Sequence, residues 1–205
     1  MAYKPNQREY RDFSAAGFAS AEPQEGGEQS YIVEGYATTF DDAYELMPGM
    51  FEVIDRHALD GADMSDVIGQ YNHDGMVLAR QSNGTLAIMP DDHGLYCRMD
   101  LGGTAQGRDL HEAIKNGLVT QMSWGFTIAD DGWDYDPATR TSTITKVAKV
   151  YDVSAVSIPA NDGTEIKARS YLDGVIEAER QELAQREKDM DRRKRIALLM
   201  EVTTD

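Results

Sequence analysis

Cysteine is nearly absent from this chain of 205 residues, and the one cysteine present, Cys97, has no partner for an intramolecular disulfide. Such a composition suits a reducing compartment. The sequence also lacks an apolar run of membrane-spanning length, and its first residues, "MAYKPNQREYRDF", lack the apolar centre of a signal peptide. These absences predict a soluble, cytosolic protein with no membrane partner.

Positive charge is scarce as well. The chain has 20 Lys and Arg residues against 36 Asp and Glu residues, which gives a net charge of -16. A phosphate backbone would be repelled by so acidic a surface. Nucleic acid is therefore excluded as a partner, and a protein or a neutral substrate is expected.

The length of the chain and the changes in composition along it predict one domain with a tail at each end. Residues 1–30 include "SAAGFASAEPQEGGEQS", which has little to bury and predicts a flexible leader. Residues 31–170 contain the strand patterns and form the predicted domain. Residues 171–205 combine dense charge with a narrow apolar stripe at helical spacing, which predicts a charged helical arm.

Strand patterns dominate the predicted domain. The first is "YIVEGYATTF", and "LVTQMSWGFTIA" and "STITKVAKVYDVSAVSIP" follow later in the chain. Asn83-Gly84 lies between "MVLARQ" and "TLAIMP", which predicts a hairpin, and "DDHG" makes the next turn before "LYCRMDL". In that last stretch Cys97 alternates onto the apolar face and is interpreted as a core residue.

One helix interrupts the strands. In "TAQGRDLHEAIKNG", Leu110, Ala113 and Ile114 share a face, Thr104 is a candidate N-cap and Gly117 a candidate C-terminal stop. The fold class expected is therefore mainly β with helices.

A serine stands in the middle of the strand pattern "VTQMSWGF". Alternation places Ser123 and Gly125 on the face opposite Met122, Trp124 and Phe126. A missing side chain at Gly125 leaves room beside the hydroxyl for another backbone to approach. The plain interpretation is a solvent-facing serine, and the alternative is a nucleophile.

A nucleophilic serine needs a base within hydrogen-bond reach. His57 and His111 lie in helix-like contexts typical of surface histidines, and His93 lies in a turn. His73 follows a strand pattern in "QYNHDGM", an end position from which a side chain can point into a site. His73 is thus the best candidate for the base.

A carboxylate could orient that base. Asp152 interrupts the apolar pattern of "KVAKVYDVSAVSIP", where an unpaired charge would be costly. A salt bridge or a solvent-facing position would explain it, and a hydrogen bond to a histidine is the third possibility. The acidic stretch "DDGWDYD" at 130–136 lacks the ligand order of a calcium loop, so no metal and no cofactor are predicted.

Several blocks, taken together and in order, resemble the HK97-type prohead proteases of tailed bacteriophages over residues 31–168. These blocks are "VEGYATTF", "MPGMF", "QYNHD", "DDHGLYCRMDL", "IKNGLVTQMSWGF" and "YDVSAVSIPAND". The family is similar in fold to herpesvirus assemblin proteases. The resemblance therefore implies a closed, mostly antiparallel β-barrel with peripheral helices, usually dimeric, and barrel closure would remove exposed edges.

By position, the resemblance implies Ser123 as nucleophile, His73 as base and Asp152 as the acidic third member. Herpesvirus enzymes use a second histidine in the third role, which leaves His93 and His111 as alternatives. The activity implied is that of a serine endopeptidase that matures proheads. It would act as a homodimer inside the immature capsid, in the host cytoplasm, and cleave the scaffold protein or the scaffolding arm of the capsid protein, and itself.

A non-catalytic function is the alternative. A β-barrel assembly factor or scaffold-binding module could carry Ser123 and His73 merely as surface residues.

Overall fold

Strands account for most of the regular structure in the computed structural model of the protein, which describes residues 7–13, 19–20, 30–157, 181 and 185. Within these ranges the strands are β1 Arg8–Phe13, β2 Ala19–Ser20, β3 Ile32–Thr39, β4 Tyr44–Met47, β5 Met50–Ile54, β6 Ile68–Tyr71, β7 Asp74–Arg80, β8 Leu86–Pro90, β9 Gly94–Asp100, β10 Gln121–Ile128, β11 Trp133–Asp136, β12 Thr141–Ile144 and β13 Val147–Val156. A 3₁₀ helix, Gln81–Asn83, and an α-helix, α1 Ala105–Lys115, complete the described elements.

The largest sheet has five strands in the order β1-β10-β13-β6-β7. Its strands pair antiparallel except for β13 and β6, which are parallel. β10 and β13 are its central pair, and β10 has seven buried residues out of eight because both of its faces are covered. A strand buried on both faces can position a side chain rigidly on either face.

Two four-stranded sheets complete the architecture, with the orders β11-β12-β5-β4 and β2-β3-β9-β8. β12 and β5 are parallel, and the other pairs in these two sheets are antiparallel. The prediction of a mainly β protein with a helix is therefore confirmed. The described strands form three sheets without a closed barrel, and their pairing is mostly antiparallel, with β12–β5 and β13–β6 as the parallel pairs.

The core lies between β10 and the sheet that contains β9. Cys97 on β9 contacts Met122 on β10 with 3.5 Å between their sulfur atoms, and both side chains are fully buried. Trp124 and Phe126 stack on the same face of β10 with ring centroids 4.0 Å apart. Burial of each such apolar side chain contributes about 1.5–3 kcal/mol. The alternation in "LYCRMDL" predicted the core position of Cys97 correctly.

The helix begins and ends where its sequence indicates. The Thr104 hydroxyl accepts a 2.9 Å hydrogen bond from the Gly107 amide, and Gly117 follows the helix with a left-handed φ of +71°. Leu110 and Ile114 are buried beneath it. The helix also buries His111, at 4% exposure, which corrects the expectation that this histidine lies on the surface.

Two strand predictions were wrong about connection. Asn83 and Gly84 do not close a hairpin, because a 3₁₀ turn there sends β7 and β8 into different sheets. The described part of the pattern at 142–159 lies in two strands, β12 and β13, which Thr145 and Lys146 separate and which also enter different sheets. The acidic stretch at 130–136 contains β11.

Most of the described residues of the predicted leader form strands. β1 pairs with β10 along its whole length, from Arg8 opposite Thr127 to Phe13 opposite Met122, and β2 pairs with β3. The edge of β10 supplies the backbone partners that the leader's composition alone does not reveal. The remainder of residues 1–30 lies outside the described residues.

The chain divides into two units, residues 4–165 and residues 1–3 with 166–205. The three sheets formed by described residues all belong to the first unit. In the second, Gln181 and Gln185 are helical and exposed, and the rest of the predicted arm lies outside the described residues. No helix within the described part of the chain has the length and hydropathy needed to cross a bilayer.

Candidate active site

A tight turn between β6 and β7 carries His73. Tyr71 pairs with Asp74, which leaves Asn72 and His73 as the two loop residues, and their φ angles are +51° and +56°. Two consecutive left-handed residues are the mark of a type I′ hairpin, where Asn-Gly is the usual choice. A histidine held in this costly conformation indicates a functional constraint.

The turn is attached to the end of β13. The Asn72 amide donates to the Ala155 carbonyl at 3.0 Å, and the Ser157 amide donates to the Asn72 side-chain oxygen at 3.1 Å. β6 pairs in parallel with β13 beside this point. The histidine is therefore fixed relative to the central strands of the sheet.

Sheet register brings the candidate acid beside the candidate nucleophile. On the central pair, Ser123 lies opposite Ser154, and Gly125 lies opposite Asp152. Since Ser123 and Gly125 share a face of β10, Ser123 and Asp152 are diagonal neighbours on one face of two adjacent strands. Both are fully buried. Ser123 is thus opposite the apolar face, as predicted, but it does not face solvent.

The histidine bridges these two side chains. The hydroxyl Oγ of Ser123 lies 2.6 Å from Nε2 of His73, and Nδ1 of His73 is hydrogen-bonded to Oδ2 of Asp152. A carboxylate can only accept, so Nδ1 carries the proton and Nε2 presents a lone pair to the hydroxyl. The His73 side chain is 13% exposed. Nε2 of His73 can therefore accept the Ser123 proton, in a site that is largely shielded from water.

Three further groups that the sequence analysis missed surround this chain of hydrogen bonds. Arg8 donates to Oδ1 of Asp152, and the hydroxyl of Ser154 donates to Oδ2 at 3.3 Å. The Tyr10 ring lies against the His73 imidazole, with centroids 4.4 Å apart. The pKa of Tyr10 is raised, mainly by burial. The nearby Arg8 charge opposes this rise, and the Asp152 charge adds to it.

The other histidines lie elsewhere. His93 packs edge-on against Tyr36 with centroids 4.5 Å apart, and His111 packs against Tyr31 at 5.4 Å. Burial lowers the pKa of His111. His57 is exposed beside Asp60. The structure thus brings Asp152, rather than a second histidine, to His73.

A metal site is not apparent in the part of the chain that the structure describes, since no three carboxylate, imidazole or thiol side chains converge there. In the acidic stretch, Asp131 pairs with Lys146, and Asp136 accepts hydrogen bonds within its own turn. The carboxylates of Asp131 and Asp136 thus have partners within the β11–β12 hairpin.

A pocket of about 400 Å³ borders the hairpin that carries His73. The hairpin contributes Tyr71 and Met76 to its lining, and Leu110 and Ala113 of α1 form another part. Met76 is 53% exposed. The pocket is open and largely apolar.

A serine, a histidine and an aspartate hydrogen-bonded in this order form the arrangement that serine hydrolases use for acyl transfer. The chain belongs to the caudovirus prohead serine protease family, whose model matches residues 19–175. It is 31% identical over 150 residues to the prohead protease of Enterobacteria phage HK97. That alignment covers 70% of this chain and 62% of the relative, so the chain spans less than two thirds of that protein's length.

Among solved structures, the chain is similar to the capsid assembly protease of bacteriophage T4. The two are 12% identical, with a TM-score of 0.49, over 75% of this chain and 100% of the T4 chain.

Proposed function

We propose that this protein is a serine endopeptidase that matures phage proheads, with Ser123 as nucleophile, His73 as general base and Asp152 as the acid that orients it. The observation that carries the proposal is the hydrogen-bonded series Ser123–His73–Asp152, assembled from three separate strands and turns. Family membership supports the same activity.

The proposed reaction is acyl transfer. His73 Nε2 takes the Ser123 hydroxyl proton as Oγ attacks the scissile carbonyl, and Asp152 stabilises the imidazolium that forms. His73 then protonates the leaving amine, which departs with the C-terminal fragment. Water, deprotonated by His73, attacks the acyl-enzyme, releases the new carboxyl group and restores the serine. Because Ser123 has no exposed surface, the site must open for a substrate carbonyl to reach Oγ.

The substrate we propose is the phage scaffold protein or the scaffolding arm of the major capsid protein, together with this protein itself. Cleavage would occur inside the prohead, in the host cytoplasm. The active form we propose is a homodimer, and the described sheets would be part of a closed barrel in each subunit. The relative from phage HK97 is named a prohead protease. The acidity of the chain fits this setting, because acidic fragments would not bind an incoming genome.

The pocket beside the His73 hairpin is our candidate for the site that receives an apolar substrate side chain. Its lining is largely apolar, and it borders the hairpin that carries the proposed base. Ala113→Trp would fill it from α1. We expect a higher KM with little change in kcat, measured on a peptide that is cut by the unaltered enzyme.

Fluorophosphonate labelling combined with scaffold processing tests the proposal. Ser123→Ala should remain folded, leave the probe unbound and leave the scaffold uncut in cells that assemble proheads. Ser142→Ala is the matched control, because Ser142 is also a buried strand serine but is hydrogen-bonded to Trp133. Normal processing by Ser123→Ala would refute the assignment.

The alternative is a scaffold-binding module without catalysis. It requires that assembled particles containing the unaltered protein neither label nor cleave. Labelling that depends on Ser123 would exclude it.

A further inference from the structure

Strand β1 contributes side chains to both sides of the sheet at the proposed active site. Arg8 and Tyr10 alternate onto the face shared with Ser123 and Asp152, whereas Arg11 lies on the opposite face. β1 precedes the residues matched to the family model, which begin at residue 19. Its contribution is therefore additional to the family's matched region.

The Arg8 guanidinium completes the coordination of the buried acid. Asp152 accepts from His73 and Ser154 on Oδ2, and Arg8 donates to the other oxygen, Oδ1. The guanidinium carbon also lies 4.6 Å from the centre of the Tyr151 ring. A fully buried carboxylate is costly without a compensating cation, and before His73 accepts a proton Arg8 is the cation in contact with it.

Tyr10 acts on the base. Its ring lies against the His73 imidazole at an interplanar angle of 59°, and the Arg8 guanidinium carbon is 5.3 Å from its centre. Tyr10 is directly opposite Gly125 on β10. A Cβ at Gly125 would come within 3.0 Å of the Tyr10 ring and 2.6 Å of Asp152 Oδ1. The glycine leaves the space that these groups occupy.

β1 is held in place from its other face. Arg11 makes a bidentate ion pair with Glu52 on β5, at 2.5 and 3.0 Å, and both side chains are buried. The Tyr44 hydroxyl also donates to Glu52. Backbone pairing with β10 and this buried ion pair fix the strand in two directions, so Arg8 and Tyr10 have defined positions.

We propose that β1 is an integral part of the active site, in which Arg8 positions Asp152 and Tyr10 positions His73. The inference rests on the proposed function, because it assigns these residues to the same Ser123–His73–Asp152 series. Among the side chains that the structure describes, the charged and titratable groups in contact with Asp152 and His73 are Arg8 and Tyr10 from β1, and Ser123 from β10 and Ser154 from β13 add polar contacts.

Removal of the Arg8 charge should shift the pH dependence of kcat/KM in a defined direction. In Arg8→Gln the Asp152 carboxylate loses its permanent cation, so it stabilises protonated His73 more strongly. A protonated base cannot accept the Ser123 proton. We therefore expect the acidic limb of the kcat/KM profile to move up by about 1 pH unit, with activity about tenfold lower below the limb. Arg8→Lys should restore most of the shift because it keeps the charge.

The experiment is a pH profile of peptide cleavage by the full chain. The matched control is Lys149→Gln, which also removes a cation above Tyr151, but one that pairs with Asp63. Tyr10→Leu should lower kcat about tenfold with KM nearly unchanged. The pH of the limb does not depend on the folded fraction, so a destabilised Arg8→Gln variant still reports on the proposal.

The outcomes are distinct. A limb displaced in Arg8→Gln, restored in Arg8→Lys and unmoved in Lys149→Gln supports the inference. An unmoved limb in Arg8→Gln overturns it, as does faster cleavage, which would make β1 an inhibitory strand. If the unaltered, folded protein in assembled particles neither cleaves nor labels, the proposed function itself fails.

Discussion

Oγ of Ser123 lies 2.6 Å from Nε2 of His73, although 50 residues separate them in the chain. A left-handed turn presents the histidine and a central strand presents the serine, and β13 joins the two structures. The same strand carries Asp152, so one strand fixes the relative positions of all three side chains.

The role of Asp152 can be tested by Asp152→Asn, which retains the side chain's shape but removes its charge. We expect a loss of about 10⁴-fold in kcat, since the imidazolium loses its stabilising partner. Peptide cleavage over a pH range is the measurement.

His93→Ala and His111→Ala are the controls, compared per folded molecule because His111 is buried. Both should stay within a few-fold of the unaltered enzyme. A loss of orders of magnitude in either, with normal cleavage by Asp152→Asn, would assign the third role to a histidine.

Gly125→Ala should reduce activity more than stability. The added methyl group would meet Asp152 Oδ1 at 2.6 Å and the Arg8 Nε at 3.2 Å, so the carboxylate must move. Displacement of a catalytic group by about 1 Å can cost about 10²-fold in rate, whereas overpacking costs about 1–3 kcal/mol. Peptide cleavage measures the loss of activity, and thermal melting measures the loss of stability. Gly61→Ala, at a site with open space around the glycine, should change neither.

The buried ion pair between Arg11 and Glu52 should couple β1 to the stability of the domain. Burial lowers the pKa of Arg11, but Glu52, with smaller contributions from Tyr44 and Glu9, raises it, and the net pKa lies well above its usual value. Arg11→Met should cost about 3–5 kcal/mol in the free energy of unfolding, because it leaves Glu52 buried without its cation. Denaturant titration is the measurement. The double variant Arg11→Met/Glu52→Leu should lose less, and additive losses would show that the pair does not couple.

Cys97 should be inert in the folded protein. Burial raises the pKa of its thiol to about 12, so at about pH 8 only on the order of 10⁻⁴ of the thiol is ionised. An aromatic disulfide reagent should react with one thiol per chain after denaturation and with almost none before it. Rapid reaction of the native protein would contradict the core position of Cys97.

Much of the site could be predicted from the sequence because its chemistry is carried by residues in unusual local settings. Asp152 stood out as a charge within an apolar strand, and His73 as a histidine at a strand end. Arg8 and Tyr10 could not be found in this way. They reach the site because β1 pairs with β10, more than 100 residues away in the chain. The backbone of β10 and the Glu52 carboxylate hold β1 as a strand, although its residues have a weak intrinsic preference for that structure.

Local patterns by themselves determined the strands of the core, the ends of the helix and the face on which Ser123 lies, because side-chain alternation and capping act over a few residues. Tertiary structure decided the rest. Asn83-Gly84 has hairpin chemistry, yet β7 and β8 enter different sheets, since strand partners are chosen by the packing of the whole domain. Alternation could place Ser123 opposite the apolar face, but only packed neighbours could bury it within reach of His73, because burial depends on what covers a face and not on the sequence of that face.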